Sequence, residues 1–325
     1  MSLRQAFFDR AWQVLYRLEH EQELYATQVS WQPYNPAMSV RRDLITGAAV
    51  FVGLSLLRYL LEQFFLQPLA FRYLGGKKSA LRRSKKIAEN SFYALFYVCS
   101  LLSGLLVYRG EDWRIKFFAP SIMEAFWEYL PPVRNVFRLY YLFELGYYCS
   151  CILFLFRHDT RRRDFPEMIT HHLATVALIV LSYAWGWMRL GLIILIIHDV
   201  ADVLLYSAKV VHYFGLAPLD MMLFGLFALA FYASRLFLFP RIILAVTVEP
   251  WILVSRTPAR MPQWIAHWNF FITQLVGFAV FLNVLLCLHC FWFVLILRMA
   301  VREITHPRSY SEGGADIRSD DEDDS

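Results

Sequence analysis

Charge is what this sequence has least of. Lys, Arg, Asp and Glu make up 18% of its 325 residues, against about a quarter in an ordinary soluble domain. That leaves too little polar surface to coat a water-soluble globule of this length. Cysteine is sparse as well. The five, Cys99, Cys149, Cys151, Cys287 and Cys290, all fall in apolar stretches. Cys287 and Cys290 share a helix face, but a structural zinc site takes four ligands, so the five read as small packing residues. No Asn-x-Ser/Thr sequon and no internal repeat is present. The first 40 residues carry Arg4, Arg10, Arg17 and four acids by position 23 without an apolar core, so they read as lacking a secretory signal peptide.

Apolar residues take the place of charge, at 58% of the chain with a mean hydropathy of +0.41. Seven runs approach the ~20 residues that cross a bilayer as helix. They cover roughly 44–66, 90–109, 135–156, 166–187, 189–211, 219–239 and 270–298. A barrel would need repeated alternating segments, whereas these runs are continuously apolar. The expected fold is therefore an all-α polytopic membrane protein with about seven transmembrane helices. A further stretch, 240–254, is broken by Pro240, Glu249 and Pro250 and reads as interfacial or as a continuation of the sixth helix.

Orientation follows the cations. Arg72, Lys77, Lys78, Arg82, Arg83, Lys85 and Lys86 follow the first span, and Arg157, Arg161, Arg162 and Arg163 follow the third. Both loops are expected in the cytosol, which places the N-terminus in the lumen and the C-terminus in the cytosol. The net charge of +5 is then topogenic, and nucleic acid is not an expected partner. Residues 1–43 read as an interfacial lumenal segment with Trp12, Tyr16, Tyr25, Trp31 and Tyr34. Residues 304–325 read as an acidic, disordered cytosolic tail in which Ser319 precedes Asp-Asp-Glu.

Polar groups inside the apolar runs carry the chemistry. An ionisable side chain near the middle of a spanning helix costs at least ~2.5–3.5 kcal/mol, yet His171, His172, His198, Asp199 and Asp202 lie in two consecutive spans. At 1.5 Å per residue the two sets overlap in depth. His198, Asp199 and Asp202 are three or four apart and can project toward one stripe, while adjacent His171 and His172 diverge by about 100°. Three imidazoles and two carboxylates at matched depth imply a polar cavity reachable from the cytosol. Imidazole beside carboxylate can abstract a proton or accept an acyl group, and coupled titration is expected of such a set. Metal ligation is the competing reading, but membrane di-iron sites draw on many more histidines in spaced boxes, so no metal is expected. Arg58 and Glu62, four apart, pair most simply with each other. Glu144 and Arg235 either meet across helices or line the cavity with substrate.

Positions 161–210, RRRDFPEMITHHLATVALIVLSYAWGWMRLGLIILIIHDVADVLLYSAKV, resemble the Lag signature of ceramide synthases within the TLC membrane domain. The likeness rests on the basic start, Asp-Phe, Glu-Met, His-His, Ser-Tyr, His-Asp, the following Asp and the closing Ala-Lys. YYLFELGYYCSCILFLFRHD upstream is also similar. The domain would cover residues 80–303, after a first helix and basic loop at 44–79. The connection between the first two spans is too short for the homeobox-like insert of many animal members, and Pro166 is unusual between Phe and Glu. The resemblance implies six helices in a barrel around the site with one helix beside it. It also implies a multi-pass enzyme of the endoplasmic reticulum that transfers a fatty acyl group from acyl-CoA, a substrate rather than a cofactor, to the amine of a sphingoid base.

On that reading His171 takes the acyl group or acts as base, His172 positions it and His198 moves the proton. Asp199 and Asp202 orient imidazole or hold the ammonium. Arg161, Arg162 and Arg163 are candidates for drawing in the CoA phosphates, and Glu144 and Arg235 for contacting substrate. Membrane lipid, a second copy or a regulatory subunit are the other partners considered. The resemblance ties chain-length choice to RTPARMPQWIAH before the last span. Two rivals remain at this point. A fatty acid elongase would show His-x-x-His-His, but position 168 is Met; a non-catalytic TLC-domain lipid-binding or translocation protein would show a degenerate signature.

Overall fold

A computed structural model of the chain describes residues 40–78, 80–111, 113–123, 134–159, 163–256 and 268–305. The N-terminal segment, Arg161, Arg162, most of RTPARMPQWIAH and the acidic tail lie outside the described residues. Every regular segment among those described is helical. α1 (Val40–Leu61) runs through a π-turn (Glu62–Leu66) into α2 (Gln67–Tyr73), and α3 (Ala80–Arg109), α4 (Asn135–Arg157), α5 (Phe165–Ala184) and α6 (Met188–Phe214) follow. α7 (Leu219–Phe231) passes through a π-segment (Tyr232–Leu238) into α8 (Phe239–Thr247), and α9 (Glu249–Arg256) and α10 (Trp268–Thr305) complete the order. Seven of these continuous helices are long and apolar enough to cross a membrane, as expected.

Their ends differ from the expectation for physical reasons. α3 starts ten residues before the apolar run at 90, because Arg82, Arg83, Lys85 and Lys86 are good helix formers that extend it beyond hydrocarbon. The sixth span continues past Pro240, so part of the interrupted 240–254 stretch belongs to it. Pro240 sits in the first turn of α8 but inside a continuous span, directly after the π-segment, where the change of register takes up the hydrogen bond that proline cannot make. Pro166 falls in the first turn of α5, where its missing N–H costs nothing, which explains its tolerance there. Between α5 and α6 the chain reverses at Gly186, whose φ of 78° suits glycine.

Packing closes a ring. α3 lies against α4, α4 against α5, α5 against α10, α10 against α8, and α6 against both α7 and α3. The order around the ring is therefore not the order along the chain: the last helix is inserted between the fourth and sixth spans. α1 stands outside, packed on α4. Only 17% of the most apolar window of this first span is buried, so most of its surface is left for lipid.

Two features hold α1 in place. At Gly146 of α4 an added Cβ would come within 2.6 Å of Val50 Cγ1 and 2.9 Å of the Phe51 backbone nitrogen, so the two helices meet at backbone distance. Arg58, 1% exposed, donates to Glu62 Oε1 at 2.6 Å and to Tyr93 Oη at 3.0 Å, and also binds Asp159. Its guanidinium lies 4.1 Å from the Phe154 ring centre. The expected Arg58–Glu62 pair is present, and Asp159 from the end of α4 makes it an inter-helix tie.

Candidate active site

The ring brings four imidazoles together. His171 and His172 come from α5, His198 from α6 and His289 from α10. Ring centres are separated by 5.4 Å for His171–His172, 6.5 Å for His171–His289 and 5.0 Å for His198–His289. Trp292, one turn from His289, packs edge-on against His171 at 5.4 Å. Its indole N–H donates to Asp164 at the start of α5, 3.0 Å away. His198 Nδ1 lies 2.7 Å from the Ile194 carbonyl. A carbonyl only accepts, so Nδ1 carries the hydrogen and Nε2 presents a bare lone pair.

Two cavities meet at this cluster. One of roughly 640 Å³ is lined by His171, His198 and Asp202 at one end. Beyond them it is walled by aliphatic side chains of α5, α6 and α10 toward Ser182, Trp187 and Phe278. The other, roughly 770 Å³, runs from His171, His172, Asp202 and Arg235 past Trp292 toward Met299. That end is the basic face, where Lys85, Lys86, Arg157 and Arg163 lie. His171 and Asp202 line both cavities, and Met168 lines the second. The chamber therefore has an apolar arm and a more polar arm, with an imidazole at their junction.

The acidic residues separate. Asp202 Oδ2 pairs with Arg235 Nη2 at 2.7 Å, and the same guanidinium nitrogen reaches the His198 carbonyl at 3.3 Å. Arg235 stands on the π-segment (Tyr232–Leu238), whose extra residue per turn shifts the register of side chains, a device frequent at functional sites. Asp199 is fully buried and turned to α3, where Ser100 Oγ lies 2.6 Å from Asp199 Oδ2 and 2.6 Å from Glu144 Oε1.

Two expectations are corrected here. Asp199 does not share a stripe with His198, because neighbouring helical positions diverge by about 100° and Ser100 offers its side a partner. Glu144 and Arg235 do not meet: Glu144 binds Ser100 on the α3 side, while Arg235 pairs with Asp202. Of the two, only Arg235 is on a cavity wall. His289 was missed as a site residue, although a histidine in the most hydropathic of the spans is itself a signal. Among the described residues no group of three or more His, Cys, Asp or Glu is arranged to hold a metal ion.

A family model described as the TLC domain matches residues 86–298. Ceramide synthase LOH1 of Arabidopsis thaliana is 31% identical over 282 residues, covering 82% of this chain and 87% of that protein. The chain belongs to the ceramide synthase family of TLC-domain proteins. Sphingosine N-acyltransferase lag1 of Schizosaccharomyces pombe is 30% identical over 73% of the chain and 57% of its own length. Ceramide synthase 4 of Mus musculus is 35% identical over 73% of the chain and 54% of its own length. The matched family segment contains the four histidines, Asp199, Asp202 and Arg235.

Proposed function

We propose that the chain transfers a fatty acyl group from acyl-CoA to the amine of a sphingoid base, forming a ceramide or dihydroceramide. The names of the relatives support the reaction class. The observation that carries the mechanism is His171 at the junction of the two cavities, the only histidine among the described residues that lines both.

The apolar arm suits the acyl chain, since each methylene buried there is worth about 0.8 kcal/mol. The arm toward the basic face suits the thioester and pantetheine, with CoA phosphates drawn by the Lys and Arg side chains of that face, Arg163 included, and by Arg161 and Arg162 next to it in sequence. The thioester carbon then lies beside His171. The ammonium of the sphingoid base gives one proton to imidazole, and the freed amine attacks the thioester carbon. The C–N bond forms, the C–S bond breaks, and the sulfur leaves as thiolate and takes the second amine proton. One proton per turnover is released. The same His171 nitrogen can first accept the acyl group, with the amine then displacing imidazole; the atom balance is identical.

Asp202 and Arg235 neutralise each other and hold the His198 backbone through its carbonyl. His172, beside Tyr148 at 6.0 Å, flanks His171 on the second cavity. The basic face is cytosolic on this reading, in the endoplasmic reticulum membrane.

The test is purified protein in lipid nanodiscs with a labelled long-chain acyl-CoA and a sphingoid base. Amide product from wild type and none from a folded His171→Ala variant is the expected outcome. Absence of amide from wild type, or full activity in His171→Ala, removes the proposal. Intact mass after acyl-CoA alone separates the covalent route from the direct one.

A further inference from the structure

Five ring nitrogens of the cluster are buried without a hydrogen-bond partner: His171 Nδ1, His172 Nδ1, His198 Nε2, and both nitrogens of His289. His289 is 0% exposed and lines neither cavity, its ring packing against those of His171 and His198. A neutral imidazole carries one N–H donor and one acceptor. Leaving both unpaired costs roughly 1–3 kcal/mol per group, which a packing role alone does not repay, since Leu or Phe would fill the site among Phe231, Phe239 and Trp292 without that loss.

The complementarity is specific. His198 Nε2 is an acceptor because its Nδ1 hydrogen is committed to Ile194. The His198 and His289 ring centres are 5.0 Å apart and inclined at 45°, with no direct hydrogen bond between them, so that link closes through a side-chain rotation or one bridging water. His171–His289, at 6.5 Å, is within reach of one bridging water.

We infer that His289 is a positioning residue that links His171 to His198 as the middle imidazole of a proton relay. The inference rests on the acyl-transfer reading above. As His171 accepts the ammonium proton, its Nδ1 hydrogen passes to one nitrogen of His289, and the hydrogen on the other nitrogen passes to His198 Nε2. No imidazole gains or loses a net hydrogen except His198, which ends protonated. Its proton is the one released per turnover. The groups facing the relay are His172 on α5, Asp202 on α6 and Arg235 on the π-segment, the last two paired with each other.

The experiment compares wild type, His289→Gln and His289→Phe in nanodiscs, reading kcat and KM for amide formation against pH. Gln keeps one donor and one acceptor but cannot pass a proton through. The expected result is an unchanged KM and a kcat lowered about 10²-fold near neutral pH in both variants. The defect should then shrink about tenfold per pH unit toward the amine pKa of roughly 10, as solvent supplies free amine. A kcat within threefold of wild type, or a defect constant across pH, overturns the relay. Should the variants fail to fold, ¹⁵N-histidine spectra of wild type decide. One donor and one acceptor nitrogen on His289, both hydrogen-bonded, supports the relay, and two free nitrogens overturn it. Those spectra hold whether or not wild type makes amide, so loss of the parent reading and loss of the relay are separable.

Discussion

Trp187 stands at the far end of the apolar arm, and replacing it should lengthen the acyl chain the protein prefers. The indole N–H donates to Gln274 Oε1 at 2.8 Å, and the ring meets Phe278 edge-on at 5.7 Å. The side chain is thus pinned against α10. From His171 to Ser182, both on the cavity wall, is 11 residues of α5, about 16 Å at 1.5 Å per residue. An extended carbon chain with ~1.5 Å bonds covers that span in about 13 carbons.

Trp187→Ala opens the floor at a cost of roughly 3–5 kcal/mol for an unfilled core site. Each methylene that enters recovers about 0.8 kcal/mol, so four to six more carbons offset the loss. In the transition state the longer chain should gain, and the kcat/KM ratio of long to original acyl-CoA should rise about 10²–10⁴-fold. The assay is a competition among saturated acyl-CoAs with one sphingoid base, the ceramides separated by mass. An unaltered product distribution from an active Trp187→Ala protein, or a shift toward shorter chains, would refute the assignment of this arm.

Three further outcomes are expected. Arg58→Met leaves Glu62 and Asp159 buried without their cation and should cost about 3–5 kcal/mol of stability, seen as earlier thermal aggregation in nanodiscs; a wild-type melting profile would count against this tie. At Ser100, one hydroxyl hydrogen faces two carboxyl oxygens, so one of Asp199 and Glu144 must itself supply a hydrogen. Asp199→Asn should therefore stay within about 1 kcal/mol of wild type in stability, while Asp199→Ala loses about 1–3 kcal/mol, and equal damage from both would refute the hydrogen count. For the Asp202–Arg235 pair, the double change Asp202→Asn with Arg235→Gln should lose less activity than the two single changes summed, by about 0.5–3 kcal/mol; strict additivity would mean the pair does not act as a unit.

The sequence by itself determined the solvent of the chain and the depth of its polar groups. Long apolar runs can only be spanning helices, because hydrocarbon satisfies no backbone hydrogen bond. The regular rise of a helix then gives each residue a position along the membrane normal, which is why His171, His172, His198 and Asp202 could be placed at one level. What a single helix leaves open is the direction each side chain faces across the ring. Asp199, next to His198, turns to Ser100 instead of the cavity. Glu144 and Arg235, both buried charges, find different partners. His289 enters the cluster only because α10 packs beside α5 and α8, an adjacency of helices distant in sequence that no local pattern encodes. Depth follows from composition and helical rise, whereas the partner facing a side chain is set by which helices pack together.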